Sequence, residues 1–241
     1  MKRIIAAAVC LLMAACASDE HRLEIEHFDD GNFSFTKERF DASQKAYQRV
    51  LDEAPDSPFR IHALIGSADA YYMQKEYTAS APVYARFVEL YPQDGLTPHA
   101  LFYEAMSYYQ DMVSLKKDQA NAEKALKFFE EFVQKYPTHF AGPFALEKIS
   151  SLNARLEEKE FDIAQFYFNT TAYLSCIGRV NYLLEKWPNT RFKGDALLLK
   201  GKSYLAEEAF DKGNAVLRQV AADFPGTGAG KEAATLLAAN H

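Results

Sequence analysis

The phrase FVELYP at residues 87–92 closes a helical pattern with a proline, and four further stretches repeat it. They are VLDEAP (50–55), FVQKYP (132–137), LLEKWP (183–188) and VAADFP (220–225). Each is a hydrophobic pair, two mostly polar residues, a mostly aromatic residue and Pro. Proline lacks an amide hydrogen and its ring clashes with the preceding turn, so each helix must stop there. The prolines fall 37, 45, 51 and 37 residues apart. Five helix ends of one kind at such spacings predict an array of stacked helical repeats. The sequence shows no sustained alternation of β-branched residues, so no strand is predicted.

The base period resembles the tetratricopeptide repeat, a helix–turn–helix of about 34 residues closed by Pro. Counting back from Pro92, the pattern positions hold Leu64, Ala68, Tyr71, Ser80, Tyr84 and Phe87. From Pro188 they hold Glu160, Ala164, Tyr167, Cys176, Val180 and Leu183, and from Pro225 Leu197, Gly201, Tyr204, Gly213, Leu217 and Val220. The repeat ending at Pro137 fits with Leu101, Glu104, Ala105 and Tyr108, then Ala125, Phe129 and Phe132. It carries an insertion, DMVSLKKDQANAE, between its helices. Ala68, Ala105, Ala164 and Gly201 sit where paired helices approach most closely. In the first repeat only the second helix reads well (RFDASQKAYQRVLDEAP), because Asp29-Asp30-Gly31-Asn32 is a turn signal. The expectation is an all-α tetratricopeptide solenoid of about five repeats over residues 34–241.

The start of the chain points to export. Lys2 and Arg3 precede an apolar run, Ile4 to Ala15, that at 12 residues is too short to span a bilayer and fits a secretion signal. Met13-Ala14-Ala15-Cys16 resembles the lipobox of bacterial lipoproteins, in which the leader is cut before an acylated cysteine. This predicts a signal peptide at 1–15, a lipid (palmitate among its chains) on Cys16 and an acidic tether over 16–33. Cys176 is then left without a disulfide partner, so the exported domain holds together by packing alone. Ala17 and Ser18 after the cysteine, in place of Asp, favour the outer membrane.

The net charge of −6 leaves no basic stripe for phosphates, which argues against nucleic-acid binding. None of the six histidines is paired at the i, i+4 spacing of a helical zinc site, and no CxxC is present, so no metal or other cofactor is expected beyond the covalent lipid. GTGAGK (226–231) fails as a phosphate loop, since Glu232 follows the lysine and no strand precedes it; it reads as a flexible helix–helix turn. No nucleophile–base grouping can be argued from the sequence, so the protein is read as a scaffold and not an enzyme.

The stretch RLEEKEFDIAQFYFNTTAYLSCIGRVNYLLEKWPNT (155–190) resembles the signature region of the BamD/ComL family, tetratricopeptide lipoproteins of the machinery that assembles β-barrel proteins into the outer membrane. Arg155, Leu156, Glu160, Ala164, Tyr167, Tyr173, Arg179 and Pro188 carry the match, and Ile163, Cys176 and Trp187 depart from it conservatively. The resemblance implies a lipid-anchored scaffold on the periplasmic face of the outer membrane. Its implied partners are the barrel-forming subunit, other lipoproteins of the complex and unfolded outer-membrane proteins. Arg179, Lys186, Arg191 and Lys193 form a basic cluster expected to meet carboxylates of the barrel-forming subunit. The groove positions of the repeats, His62, Ile65, Asp69 and Tyr72, then His99, Phe102, Met106 and Tyr109, are expected to hold extended substrate peptide. The alternative is a different tetratricopeptide lipoprotein, such as a pilotin-like escort of a secretin.

Overall fold

The computed structural model describes residues 22–115 and 119–239. The expected leader and Cys16 lie outside the described residues. The described chain is helical: α1 (residues 22–36), α2 (Phe40–Glu53), α3 (Arg60–Met73), α4 (Tyr77–Leu90), α5 (Thr97–Leu115), α6 (Gln119–Lys135), α7 (Gly142–Asn169), α8 (Tyr173–Lys186), α9 (Lys193–Ala206), α10 (Phe210–Asp223) and α11 (Gly228–Ala239). No strand occurs among the described residues. The chain divides into two compact units, Met1–Ile149 and Ser150–His241, with the boundary inside α7.

The five proline phrases end helices in one way. The residue before each proline donates its N–H to the carbonyl four back: Ala54 to Val50, Tyr91 to Phe87, Tyr136 to Phe132, Trp187 to Leu183 and Phe224 to Val220. At Ala54, Tyr91, Trp187 and Phe224 that residue has left the helical region, with φ of −131°, −129°, −128° and −129° and ψ of 71°, 55°, 78° and 42°. A following proline disfavours the helical conformation at this position. The carbonyl of that same residue then accepts from three residues on, at Ser57, Asp94, His139, Thr190 and Thr227.

The turns inside the hairpins share a second device. Glu38, Lys75, Thr171 and Glu208 all have φ between 57° and 64°. After each, the next N–H reaches back to a carbonyl five residues earlier: Arg39 to Ser34, Glu76 to Tyr71, Ala172 to Tyr167 and Ala209 to Tyr204. This is a Schellman-type helix end built without glycine. It joins α1 to α2 as it joins α3 to α4, α7 to α8 and α9 to α10, so the first repeat is complete.

That finding corrects the expectation of a tether running to residue 33 with a turn at Asp29–Asn32. Gly31 is there for a close approach: a Cβ on it would lie 2.5 Å from the Tyr47 ring. The Tyr47 hydroxyl donates to Asn32 Oδ1 at 2.8 Å, Ser43 Oγ donates to the Gly31 carbonyl at 2.9 Å, and Phe28 stacks on Phe59 at 4.9 Å. The described residues of the insertion in the third repeat, 111–115 and 119–123, are likewise helical, as the end of α5 and the start of α6.

In the first unit Val50, Tyr84, Phe87, Phe129 and Phe132 are fully buried, with Ala68 and Ala105 at the helix crossings. In the second unit Leu197, Leu198, Leu217 and Val220 pack with Ala229 and Ala233 of α11, which closes that core. Gly201 meets Leu217 closely; a Cβ there would fall 2.8 Å from a Leu217 methyl.

Candidate functional site

Two sets of residues were singled out by sequence, and the structure treats them differently. Of the groove positions, Ile65 and Met106 are each 7% exposed and belong to the core, so they do not line an open surface. His62 is exposed and stands edge-on to Phe28. Tyr72 packs edge-on against Tyr77 and Tyr103, and burial pushes its hydroxyl up to about 12. Tyr109 lies beneath the Lys148 ammonium, 5.1 Å from its ring centroid.

Asp69, on α3, is the junction of three helices. Its Oδ1 accepts the Tyr84 hydroxyl of α4 at 2.5 Å and bonds His99 Nε2 of α5 at 2.8 Å. A carboxylate is acceptor-only, so His99 must carry its proton on Nε2. Burial, reinforced by the Asp69 charge, pushes the Tyr84 hydroxyl far above its ordinary value, so Tyr84 stays a donor.

His99 and Phe102 then line a cavity of about 310 Å³ together with Gly95, Tyr103, His139, Phe140 and Ala141. Phe102 is held edge-on by Phe129 and Phe132 and lies 6.0 Å from Phe144. Phe140, in the α6–α7 turn, is 89% exposed, with its ring 4.4 Å from His139. His139 Nδ1 accepts the Ala141 N–H at 3.2 Å. Sequence reasoning missed His139 and Phe140 because they follow the Pro137 phrase in a turn, off the helical period.

The basic cluster surrounds the end of α8, and each member is already engaged. Arg179 pairs with Glu160 at 3.2 Å; Glu160 is 2% exposed, so this contact helps to satisfy a buried carboxylate. Arg191 pairs with Glu158 at 3.0 Å and covers Phe192. Lys186 lies over Tyr182 and Trp187, and Lys193 donates to the Pro188 carbonyl at 3.1 Å. The Trp187 indole donates to Asn153 Oδ1, which ties the phrase ending at Pro188 to α7.

Among the described residues no three of His, Cys, Asp and Glu gather as metal ligands. No helix among them is long and apolar enough to cross a membrane. Cys176 is buried, and burial pushes its thiol up, offset in part by a hydrogen bond with Ser203. GTGAGK is not a flexible turn throughout: its second half opens α11, where Thr227 Oγ accepts the Gly230 N–H.

Proline-closed helical hairpins with left-handed turns define a tetratricopeptide-type protein. Solved structures to which the chain is similar include two at low identity and low TM-score. A tetratricopeptide repeat protein from Parabacteroides merdae has a TM-score of 0.46 and 15% identity, covering 83% of this chain and 79% of the other. The TPR2AB domain of yeast Sti1 has a TM-score of 0.43 and 13% identity, covering 87% and 80%. Residues 21–215 match the YfiO family, described as outer membrane lipoprotein, and the chain belongs to it. Similar relatives are the outer membrane protein assembly factors BamD of two strains of Xylella fastidiosa. The 9a5c protein is 23% identical over 84% of this chain and 74% of its own length, and the Temecula1 protein 22% identical over 90% and 81%. BamD of Caulobacter vibrioides is 26% identical over 75% of this chain and 59% of the relative.

Proposed function

We propose that the protein is a non-enzymatic lipoprotein scaffold of the machinery that assembles β-barrel proteins into the outer membrane. The observation that carries this reading is the family match over residues 21–215, with relatives named as assembly factors. In this reading Cys16 holds the lipid anchor and the repeats face the periplasm. The region around the end of α8 docks on the barrel-forming subunit, and the aromatic surface of α3 and α5 holds unfolded substrate.

The docking face is served by Arg191, Lys186 and Lys193 more than by Arg179. Arg191 and Glu158 are 63% and 58% exposed, so their pair is worth little and is easily exchanged for a partner carboxylate. Arg179 is committed to Glu160. The test is gentle solubilisation of outer membranes and purification through a C-terminal tag. A barrel-assembly subunit should co-purify; recovery of a secretin in its place would overturn the reading. Arg191→Glu with Lys186→Glu should lower the partner's yield, and an unchanged yield would refute the docking face. Photocrosslinkers at Tyr109 and Phe140 should capture unfolded barrel substrate above control sites such as Glu185.

A further inference from the structure

The cavity beside His99 carries two imidazoles whose tautomers are fixed by opposite contacts. His99 donates through Nε2 to Asp69, so in its neutral form Nδ1 is an acceptor. His139 accepts at Nδ1 from the Ala141 N–H, so in its neutral form Nε2–H is a donor. Both residues line the cavity, with Gly95, Phe102, Tyr103, Phe140 and Ala141 as its other walls, and each keeps one ring nitrogen, an acceptor on His99 and a donor on His139, outside the bonds just named. A peptide unit offers the complementary pair, one N–H and one C=O. The volume, about 310 Å³, is at the small end of ligand cavities and suits a single large side chain.

We propose that this pocket takes one aromatic or large aliphatic side chain of an extended peptide, whose adjacent backbone amide is read by His99 and His139, and that acid switches capture off. The inference rests on the peptide-groove reading given above and adds its residues and its regulation. Imidazole is the side chain that changes charge between about pH 5 and pH 8. Protonation converts His99 Nδ1 from acceptor to donor. Protonation of His139 places a hydrogen on Nδ1 and ends the bond from Ala141, which fixes the turn that carries Phe140.

The surroundings compensate these charges unequally. His99 faces Asp69 of α3, with the Tyr84 hydroxyl of α4 and Tyr103 of its own helix beside it. Asp94, next to Gly95, is engaged by the Leu96 N–H. His139 packs against the rings of Phe132 and Phe140. The Lys148 ammonium of α7 lies 4.5 Å over Phe144, the ring adjacent to Phe102, and adds positive charge on that side. A proton on His99 Nδ1 is the change that removes the acceptor.

The probe is a fluorescent extended peptide alternating phenylalanine with threonine, beside a twin with alanine in place of phenylalanine. Binding to the full chain is followed by anisotropy from about pH 8 to about pH 5, with helicity checked by circular dichroism at each pH. The phenylalanine peptide should bind about tenfold more weakly at the acid end, where the loss of hydrogen bonds is complete. The double variant His99→Gln, His139→Gln keeps uncharged donors and acceptors and should bind without that pH dependence. His139→Gln alone, in a surface turn, should show a reduced dependence if the double variant does not fold. A wild-type affinity equal at both ends, or a folded glutamine variant that loses binding in acid as the wild type does, overturns the switch while leaving the groove intact. Equal binding of the two peptides at neutral pH overturns the groove reading and the inference with it.

Discussion

Replacing Glu104 with glutamine should stabilise the protein, and more so as pH rises. Glu104 stands on α5 at 3% exposure, facing Glu131 and Lys127 of α6. Burial, reinforced by the Glu131 charge and only partly offset by Lys127, pushes its carboxyl from 4.5 up to about 7. The folded-state value lies above the unfolded one. The native state therefore favours the protonated acid, a preference fully expressed below pH 4.5 and lost as pH rises through about 7. At about 1.4 kcal/mol per pH unit, ionisation costs the fold up to about 3 kcal/mol above neutrality. Glu104→Gln keeps the shape and removes the charge. Urea denaturation followed by circular dichroism should show a gain of about 3 kcal/mol over wild type at about pH 8, and little difference near pH 4. A thermal scan should show the same sign, with a rise of about 2–4 °C per kcal/mol. A variant no more stable at the high pH than at the low one would refute the reasoning, because the carboxylate would then be satisfied as an ion.

Other outcomes follow from the packing and the turns. Gly31→Ala should destabilise the first unit by about 1–3 kcal/mol, because the new methyl meets the Tyr47 ring. Gly178→Ala, where nothing lies within 4 Å, should stabilise α8 by about 0.5–1 kcal/mol; denaturant midpoints separate the two. Arg179→Ala should cost about 2 kcal/mol, below the loss for a fully buried pair because Arg179 is itself 42% exposed, whereas Arg191→Ala should cost about 0–1 kcal/mol in the same assay. Glu208→Gly should change stability by about +0.5–1 kcal/mol, since φ of 58° strains any residue with a Cβ, and a loss on substitution would show that the turn is held by the glutamate side chain.

The class of fold was legible in the sequence because proline marks five helix ends without ambiguity. The left-handed turns were not legible: Glu38, Lys75, Thr171 and Glu208 are of three residue types, none of them glycine or asparagine, and the bonds that hold them are all main-chain. The first repeat was obscured for a related reason. Gly31 between acidic and amide neighbours has the composition of a turn, yet its lack of a side chain serves an aromatic ring from α2. At the candidate site, the spacing of the repeats brought Asp69 and His99 to one place, and they are bonded. It overstated Ile65 and Met106, which the neighbouring helices cover. His139 and Phe140 escaped because turn residues follow no helical period. The charges of the basic cluster could be read directly, but the cross-helix partner of Arg179 emerges only when α7 and α8 are packed.

The four left-handed turn residues are also convenient places from which to observe the molecule. Glu38, Lys75, Thr171 and Glu208 are all exposed, and each marks the tip of a separate hairpin. Because their turns are held by main-chain bonds, each side chain can be exchanged for cysteine with little disturbance. The free thiol already present among the described residues, Cys176, is buried and will react slowly. Spin labels or dyes placed there in pairs would turn the repeat array into a ruler, on which the spacing of its hairpins could be followed in solution as a partner or a substrate peptide is added.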